Sequence, residues 1–222
     1  MLSPTEENYL KCIYSLSEKS DKEISTNSIS AHIQTTAASV TDMLRRLSEK
    51  GFLRYVKYKG ARLTVEGESL AKSLVRRHRL WEVFLVNKLK FSWDEVHDIA
   101  EQLEHIHSSA LIQRLDAFLG HPQFDPHGDP IPDQHGNYTK RNDKTLSEVN
   151  IGEECILVGV QEHSSEFLQY LDSLSVRLGQ RLKVEHIEPY DNTCRIRLIP
   201  GGDTLSLSER VTSQLVVNVN PQ

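Results

Sequence analysis

The stretch AASVTDMLRRLSEK, residues 37–50, decides the first prediction about the fold. Its apolar side chains recur at helical spacing: Val40, Met43, Leu44 and Leu47. Gly51 follows and is a typical helix end. Two short β-like runs come next, at 52–57 and 61–64, and they meet at Lys59-Gly60. This pattern predicts a helix followed by a β-hairpin with a basic tip.

Working outward, the residues before this stretch predict two further helices. The first spans about 3–19, where Ser3, Pro4 and Glu6 form a capping-box start. A short helix follows at about 26–32. The predicted order of elements is typical of a winged helix-turn-helix: a helix, a short helix, a turn, another helix and a basic hairpin. The helix after the turn is the one that fits a DNA major groove.

Charge is distributed unevenly along the 222 residues, whose net charge is −5. Residues 42–79 carry 11 basic and 4 acidic side chains, whereas residues 80–222 carry 12 basic and 22 acidic ones. A basic segment on an acidic chain indicates a local site for a polyanion, with an ordinary solvated surface as the alternative. Double-stranded DNA is therefore the expected partner.

Candidate DNA contacts follow from this placement. The residues that begin the recognition helix and face the base edges are Thr36, Ala37, Ala38, Ser39, Thr41 and Asp42. Their small size predicts limited direct readout and some dependence on DNA shape. The candidates for phosphate contacts are Arg45, Arg46, Lys57, Lys59 and Arg62.

The rest of the chain predicts helices over about 65–89, 93–107 and 108–119. Residues 121–136 hold four prolines and two glycines, which predicts a linker over 121–148. Short strands and one helix then predict a small β-barrel over 149–222. The expected fold is mainly α with small β, in domains 1–64, 65–120 and 149–222 around that linker.

Composition excludes several classes of protein. No run of 18 apolar residues exists, so no transmembrane helix is expected, and the N-terminus lacks a secretory pattern. Three distant cysteines exclude a CxxC motif and make the cytoplasm the expected location. HExxH, GxSxG and Walker A motifs are absent, so an enzyme is not expected.

Histidine and glutamate usage indicates a metal site. His78 and Glu82 lie four residues apart, and a second set follows on one predicted helix face: His97, Glu101, Glu104 and His105. Lys and Arg are absent between 90 and 114, so the carboxylates lack a nearby cation in sequence. Oxygen and nitrogen donors without thiolate suit Mn²⁺ or Fe²⁺ and tolerate Zn²⁺. A solvated polar face is the alternative.

These motifs together resemble the diphtheria-toxin-repressor family, close to its manganese-responsive branch. The resemblance covers essentially the whole chain. It is carried by TEENYLKCIYSL (5–16), SVTDMLRRLSEKGFL (39–53), TVEGESLA (64–71), RHRLWEVFL (77–85), VHDIAEQLEH (96–105) and DPHGDPIP (125–132). It implies an N-terminal winged helix-turn-helix domain, a helical dimerisation and metal-binding domain, and a C-terminal SH3-like (FeoA-type) domain.

The resemblance also implies two metal sites in each subunit. It carries an ancillary site onto His78, Glu82 and His97, completed by His163 and Glu166 from the SH3-like domain. It carries a primary site onto Glu101, Glu104 and His105, with Asn8 at the position of the ligand from the first helix. Asn8 and Lys11 both depart from the family pattern. Asn8 can coordinate a metal through its amide oxygen but carries no charge, and a protonated lysine at position 11 cannot be a ligand. Glu7 could replace Asn8 only if the first helix rotated.

The resemblance implies a homodimeric, metal-dependent repressor that is activated by Mn²⁺ and controls metal-uptake genes. Fe²⁺ is the alternative activator, and Zn²⁺, Co²⁺ or Cd²⁺ are expected surrogates. Three other interpretations stay open at the level of sequence: an iron-responsive regulator of the same family, a metal-dependent hydrolase or storage protein, and a metal-independent winged-helix regulator.

Overall fold

The computed structural model describes residues 2–18 and 22–219. The chain divides into two compact units. The first comprises Met1–Trp81, Ala100–His121 and Ile131–Tyr138, and the second comprises Glu82–Ile99, Pro122–Pro130 and Thr139–Gln222. None of the described helices is long and apolar enough to cross a bilayer.

The first unit begins with a winged helix-turn-helix. Its helices are α1 (Pro4–Glu18), α2 (Thr26–Ile33) and α3 (Ala37–Glu49). Strands β1 (Leu53–Val56) and β2 (Gly60–Leu63) pair in antiparallel fashion and form the wing. The apolar stripes predicted from the sequence meet in one core, where Ile13, Ile29, Val40, Leu44 and Leu47 are fully buried.

Local hydrogen bonds explain where these helices begin. The Ser3 backbone N–H donates to Glu6 Oε2 at 3.0 Å, and the Glu6 N–H donates to Ser3 Oγ at 3.3 Å. This reciprocal pair is the predicted capping box. The Oγ1 of Thr36 accepts from the Ser39 N–H at 3.2 Å and caps α3.

Three further helices follow: α4 (Val65–Asn87), α5 (Val96–Leu103) and α6 (Ser109–Phe118). The sequence predicted one helix over 93–107, which is too long. Ser108 has extended backbone angles and caps α6 by accepting from the Leu111 N–H, so a helix cannot continue through it. Glu104 and His105 therefore lie in a turn after α5 rather than on its face.

The second unit is built on a six-stranded antiparallel sheet. In chain order its strands are β3 (Lys144–Thr145), β4 (Glu154–Val160), β5 (Arg181–Ile187), β6 (Cys194–Ile199), β7 (Thr204–Leu207) and β8 (Leu215–Asn218), with spatial order β3-β8-β4-β5-β6-β7. Helices α7 (Ser165–Ser173) and α8 (Glu209–Thr212) complete it. The predicted mainly α fold with a small C-terminal β-domain is confirmed.

Part of the segment predicted as a linker is buried. Asp125 and His127 are only 7% and 2% exposed, and Val160 N–H donates to the His127 carbonyl at 2.9 Å. Gly128 has φ +90°, and a Cβ there would lie 2.1 Å from the Val158 carbonyl oxygen. The prolines and glycines therefore shape a packed turn against β4 rather than a flexible tether.

Two glycines of the second unit form a matched pair for testing that packing. Gly128 and Gly152 share φ +90°, but a Cβ on Gly152 would meet nothing within 4 Å. We expect Gly152→Ala to cost about 1–2 kcal/mol from backbone strain alone. Gly128→Ala adds the clash with β4 and should cost about 1–3 kcal/mol more. Urea denaturation measures both, and equal losses would show that the close approach is not maintained in solution.

Candidate metal centre and nucleic-acid interface

The start of α3 presents a polar, exposed surface. Thr36, Ala37, Ala38, Ser39 and Asp42 are exposed, Thr41 is half-buried, and the next turn carries exposed Arg45 and Arg46. Thr36 is engaged as the helix cap, and Thr41 Oγ1 donates to the Ala37 carbonyl at 2.9 Å. The structure thus brings the predicted base-contacting residues to one end of one helix.

The wing concentrates positive charge. Lys57, Lys59 and Arg62 are all exposed, as predicted, and Arg54 lies directly opposite Arg62 in the strand register. Like charges at directly opposed positions weaken strand pairing in water, and an anion placed between them would relieve the repulsion. Two exposed residues of the wing were not among the predicted contacts: Arg54, and Tyr58, which is 92% exposed and whose ring lies 4.9 Å from Lys57 Nζ.

The first unit contains a buried cluster around Glu104. This carboxylate is fully buried, and Lys11 Nζ donates to its two oxygens at 2.7 and 2.9 Å. Lys11 Nζ also lies 3.3 Å from His78 Nδ1 and 3.7 Å from Glu101 Oε1, while His78 Nδ1 lies 2.5 Å from Glu104 Oε2. Burial alone raises the pKa of Glu104, but His78 and Lys11 lower it, and the pKa falls below its ordinary value.

Glu7 holds the other side of this cluster. Its Oε2 lies 2.6 Å from His105 Nδ1, and its Oε1 lies 3.4 Å from an Arg77 guanidinium nitrogen and 3.7 Å from His107 Nε2. A role for Glu7 as a ligand in place of Asn8 was expected only after rotation of the first helix, but Glu7 already contacts His105 and His107 without such a rotation. Glu7 and Lys11 are one helical turn apart, so both face the turn after α5.

Of the predicted primary ligands, Glu101, Glu104 and His105 are brought together, but around an ammonium group. The fourth, Asn8, is a neutral donor whose Oδ1 is buried without a hydrogen-bond partner. That atom is an unsatisfied acceptor on α1, the helix that also carries Lys11. A divalent ion at Glu104 would nevertheless share its oxygens with the Lys11 ammonium, so the donor set does not fit a metal while that ion pair stands.

The second unit contains a separate group of metal-type ligands. Glu82, Asp125 and His127 are all buried, and their ligand atoms lie within 4.8 Å of one another. Glu82 Oε1 is 3.8 Å from His127 Nδ1 and 3.7 Å from the Nδ1 of His97, which is half-exposed at its side chain. The structure therefore places predicted ligands Glu82 and His97 together, while His78, one turn earlier on α4, belongs to the first unit.

The orientation of His127 is set by the backbone. Its Nε2 lies 2.7 Å from the Trp93 carbonyl oxygen, which can only accept a hydrogen bond. Nε2 therefore carries the proton, and burial lowers the pKa of His127 below its ordinary value, which favours the neutral ring. The neutral tautomer leaves a lone pair on Nδ1 facing the Glu82 carboxylate.

The predicted donors from the C-terminal region differ in their placement. The ring of His163 stacks on that of His127 at 4.9 Å between centroids, and its Nε2 lies 3.1 Å from the Val160 carbonyl oxygen. Glu166 is exposed on the first turn of α7 and is not part of the described group of ligand atoms around Glu82. His163 thus adjoins the centre, and Glu166 does not join it.

Asp125 and His127 were missed as ligand candidates. They lie in DPHGDPIP, a stretch that the sequence analysis quoted for its resemblance but interpreted as a linker because of its prolines. Asp125 Oδ1 accepts from the backbone N–H groups of His127 and Asp129 at 2.8 and 3.0 Å, which fixes the turn. The available signal was an Asp and a His two residues apart beside Gly128 in a turn.

Sequence models of known families match three segments of the chain. A model described as the N-terminal DNA-binding domain of iron-dependent repressors matches residues 1–61. A second, described as their metal-binding and dimerisation domain, matches residues 64–133. A FeoA domain model matches residues 144–219.

Individual relatives agree with these matches. The iron-dependent repressor IdeR of Mycobacterium leprae is 33% identical over 59% of this chain, which spans 56% of that protein, little more than half its length. The diphtheria toxin repressor of Corynebacterium jeikeium is 26% identical over 85% of this chain and 70% of its own.

Solved structures extend the similarity over nearly the full chain. A manganese-dependent transcriptional repressor in complex with manganese has a TM-score of 0.86 and 33% identity, covering 97% of this chain and 100% of its own. The manganese regulator SloR has a TM-score of 0.75 and 34% identity, covering 99% and 100%.

The neutral state of the His127 ring can be tested on the protein without metal. We expect the His127 ring to titrate below pH 6.5, because burial disfavours its charged form. Glu82→Gln should lower that pKa further, since the Glu82 charge raises it. Because the unfolded chain then binds more protons, stability should fall as the pH drops below 6.5. NMR titration of the imidazole carbons measures the pKa, and a midpoint at or above 6.5 would contradict the assignment.

Proposed function

This chain belongs to the iron-dependent repressor family of metal-dependent transcriptional repressors, and from that membership we propose that it is a Mn²⁺-activated repressor that binds operator DNA as a homodimer in the cytoplasm and controls genes of metal uptake. The family consists of transcriptional repressors, which are not enzymes. This sets aside the hydrolase and storage interpretations of the His and Glu cluster.

One observation carries the metal assignment: the Nδ1 lone pair of His127 faces the Glu82 carboxylate at 3.8 Å. Two electron-rich atoms in a buried site are stabilised by a cation that both can coordinate. Asp125 adds a second buried carboxylate to this group. We assign Glu82, Asp125 and His127 as ligands, with His97 and His163 as the neighbouring nitrogen donors.

Donor chemistry selects the metal. Two carboxylates with imidazole nitrogens and no thiolate suit Mn²⁺ and Fe²⁺, with Zn²⁺, Co²⁺ and Cd²⁺ as surrogates. The similar solved structures include a manganese complex and complexes of the related ScaR with Cd²⁺ and Zn²⁺. Activation by Fe²⁺ is the second candidate, because the similar IdeR proteins are iron-dependent repressors. A bound ion would neutralise the charge of the ligand carboxylates and so favour the conformation in which they lie together.

The DNA surface supports the repressor assignment. The start of α3 offers small polar side chains for base edges, and the wing offers Arg54, Lys57, Lys59 and Arg62 for phosphates. One such surface reads one half-site, so a two-fold dimer would read two half-sites in successive major grooves.

The central experiment is a DNA-binding titration on the sequence upstream of the protein's own gene. We expect Mn²⁺ to raise DNA affinity about 5- to 150-fold, the range of typical allosteric coupling. Fluorescence anisotropy with Mn²⁺, Fe²⁺ or Zn²⁺, and with a chelator, measures the change. Identical binding with chelator and with metal would contradict the proposal and favour a metal-independent winged-helix regulator.

Variants assign the ligands. Glu82→Gln and His127→Ala should each raise the Mn²⁺ concentration for half-maximal DNA binding at least about tenfold, because the first removes a buried negative charge and the second a buried nitrogen donor. Glu66→Gln, on the exposed start of the same helix, is the matched control and should leave it unchanged. Equal effects of all three would show that the change is not specific to this centre.

The phosphate contacts are tested by salt dependence. Replacing any one of five side chains with Ala should reduce the slope of log affinity against log salt by about one unit. The five are Arg45, Arg46, Lys57, Lys59 and Arg62. An unchanged slope in every variant would remove the wing and α3 from the interface.

A further inference from the structure

The Glu104 cluster of the first unit departs from the metal site that the family resemblance implies there. We propose that the ammonium group of Lys11 permanently takes the place of a metal ion in this cluster, so that each subunit binds one regulatory ion rather than two. This inference rests on the proposed function, because it locates metal sensing entirely at the Glu82, Asp125 and His127 centre.

The contacts of Lys11 are those expected of a bound cation. Its Nζ lies between groups from separate elements: both oxygens of Glu104 at 2.7 and 2.9 Å, His78 Nδ1 at 3.3 Å and Glu101 Oε1 at 3.7 Å. An ammonium has three N–H donors and no acceptor, and the carboxylate oxygens of Glu104 and Glu101 can only accept. His78 Nδ1 lies 2.5 Å from Glu104 Oε2 and therefore donates to the same carboxylate.

Charge and burial favour the lysine over an added ion. The side chain of Glu104 is 0% exposed and that of Lys11 only 19%, so the pair is shielded from water. A buried pair is strongly destabilised when one partner is removed, because the other charge is left uncompensated. A divalent ion at Glu104 would need to expel Lys11 and place two positive charges close to its ammonium group.

The remaining residues are also engaged. Glu7 is buried and contacts Arg77, His105 and His107, so its carboxylate already has a cationic partner in Arg77. Asn8 contributes only a neutral amide oxygen. The first unit therefore supplies its own cations, Lys11 and Arg77, to its own carboxylates.

The consequence concerns how α1 is held. Lys11 lies on α1, in the helix-turn-helix, whereas Glu101 lies on α5 and Glu104 just beyond it. In a two-metal arrangement an ion would join these elements only when metal is present. Here the lysine joins them at all metal concentrations, and the regulatory ion acts through the other centre.

Metal stoichiometry tests the inference. Equilibrium dialysis of the full chain against Mn²⁺, followed by metal analysis, should give one ion per subunit. Lys11→Met removes the charge at similar length and should raise the number to two, because Glu101, Glu104 and His105 are released. The control is Lys72→Met, which removes an ammonium 2.7 Å from Glu68 on α4 and should leave one ion.

Each result separates the inference from the proposed function. Two ions in the unaltered chain would overturn the inference and leave the function standing, and one ion in both the unaltered chain and Lys11→Met would also overturn the inference. No ion in the unaltered chain but one in Lys11→Met would support the inference and overturn the assignment of the Glu82 centre. No ion in either would overturn both.

A second comparison avoids the risk that Lys11→Met fails to fold. Glu101 is half-exposed at its side chain, and Glu101→Gln changes neither size nor burial. In the unaltered background it should leave Mn²⁺ stoichiometry and affinity unchanged, whereas Glu82→Gln should weaken binding at least about tenfold. Loss of an ion on Glu101→Gln would show that the cluster binds metal despite Lys11 and would overturn the inference.

Discussion

The compensation of one buried negative charge organises the first unit. Glu104 is withdrawn completely from water, and an isolated carboxylate in that position would cost several kcal/mol. Lys11 from α1 and His78 from α4 meet it, so three elements converge on one side chain. The helix-turn-helix is thereby held to the helices that follow it by an interaction that belongs to the protein itself.

The second unit contains a buried group of a different kind, in which acceptor atoms lie close together. There the backbone carbonyl of Trp93 accepts the Nε2 proton of His127 and leaves its Nδ1 as an acceptor beside Glu82 and Asp125. Glu82, Asp125 and the neutral His127 ring together offer acceptor atoms that a cation could coordinate. The two clusters use similar residue types, but Lys11 occupies the first, whereas a backbone carbonyl orients the imidazole ring of the second.

The parts of the fold that depend on local pattern were predictable. The stripe in α3, the capping box at Ser3 and the wing hairpin all follow from residues within a few positions of each other, and the structure reproduces them. The turn at Glu104 was not predicted because the apolar spacing continues through it. The partners Lys11 and Glu104 are 93 residues apart, and Asp125 and His127 were hidden in a Pro-rich stretch whose burial is a tertiary effect. Periodicity carries no information about such pairings.

The depth of the Glu82, Asp125 and His127 centre has a kinetic consequence. With all three donors almost fully shielded from solvent, the loss of a bound ion would be coupled to a local opening of the packing around them. The rate of that local opening, and not the concentration of free ion outside, would then limit how fast the protein loses its metal. A repressor built this way would respond to falling metal with a delay, and so average out brief fluctuations in supply.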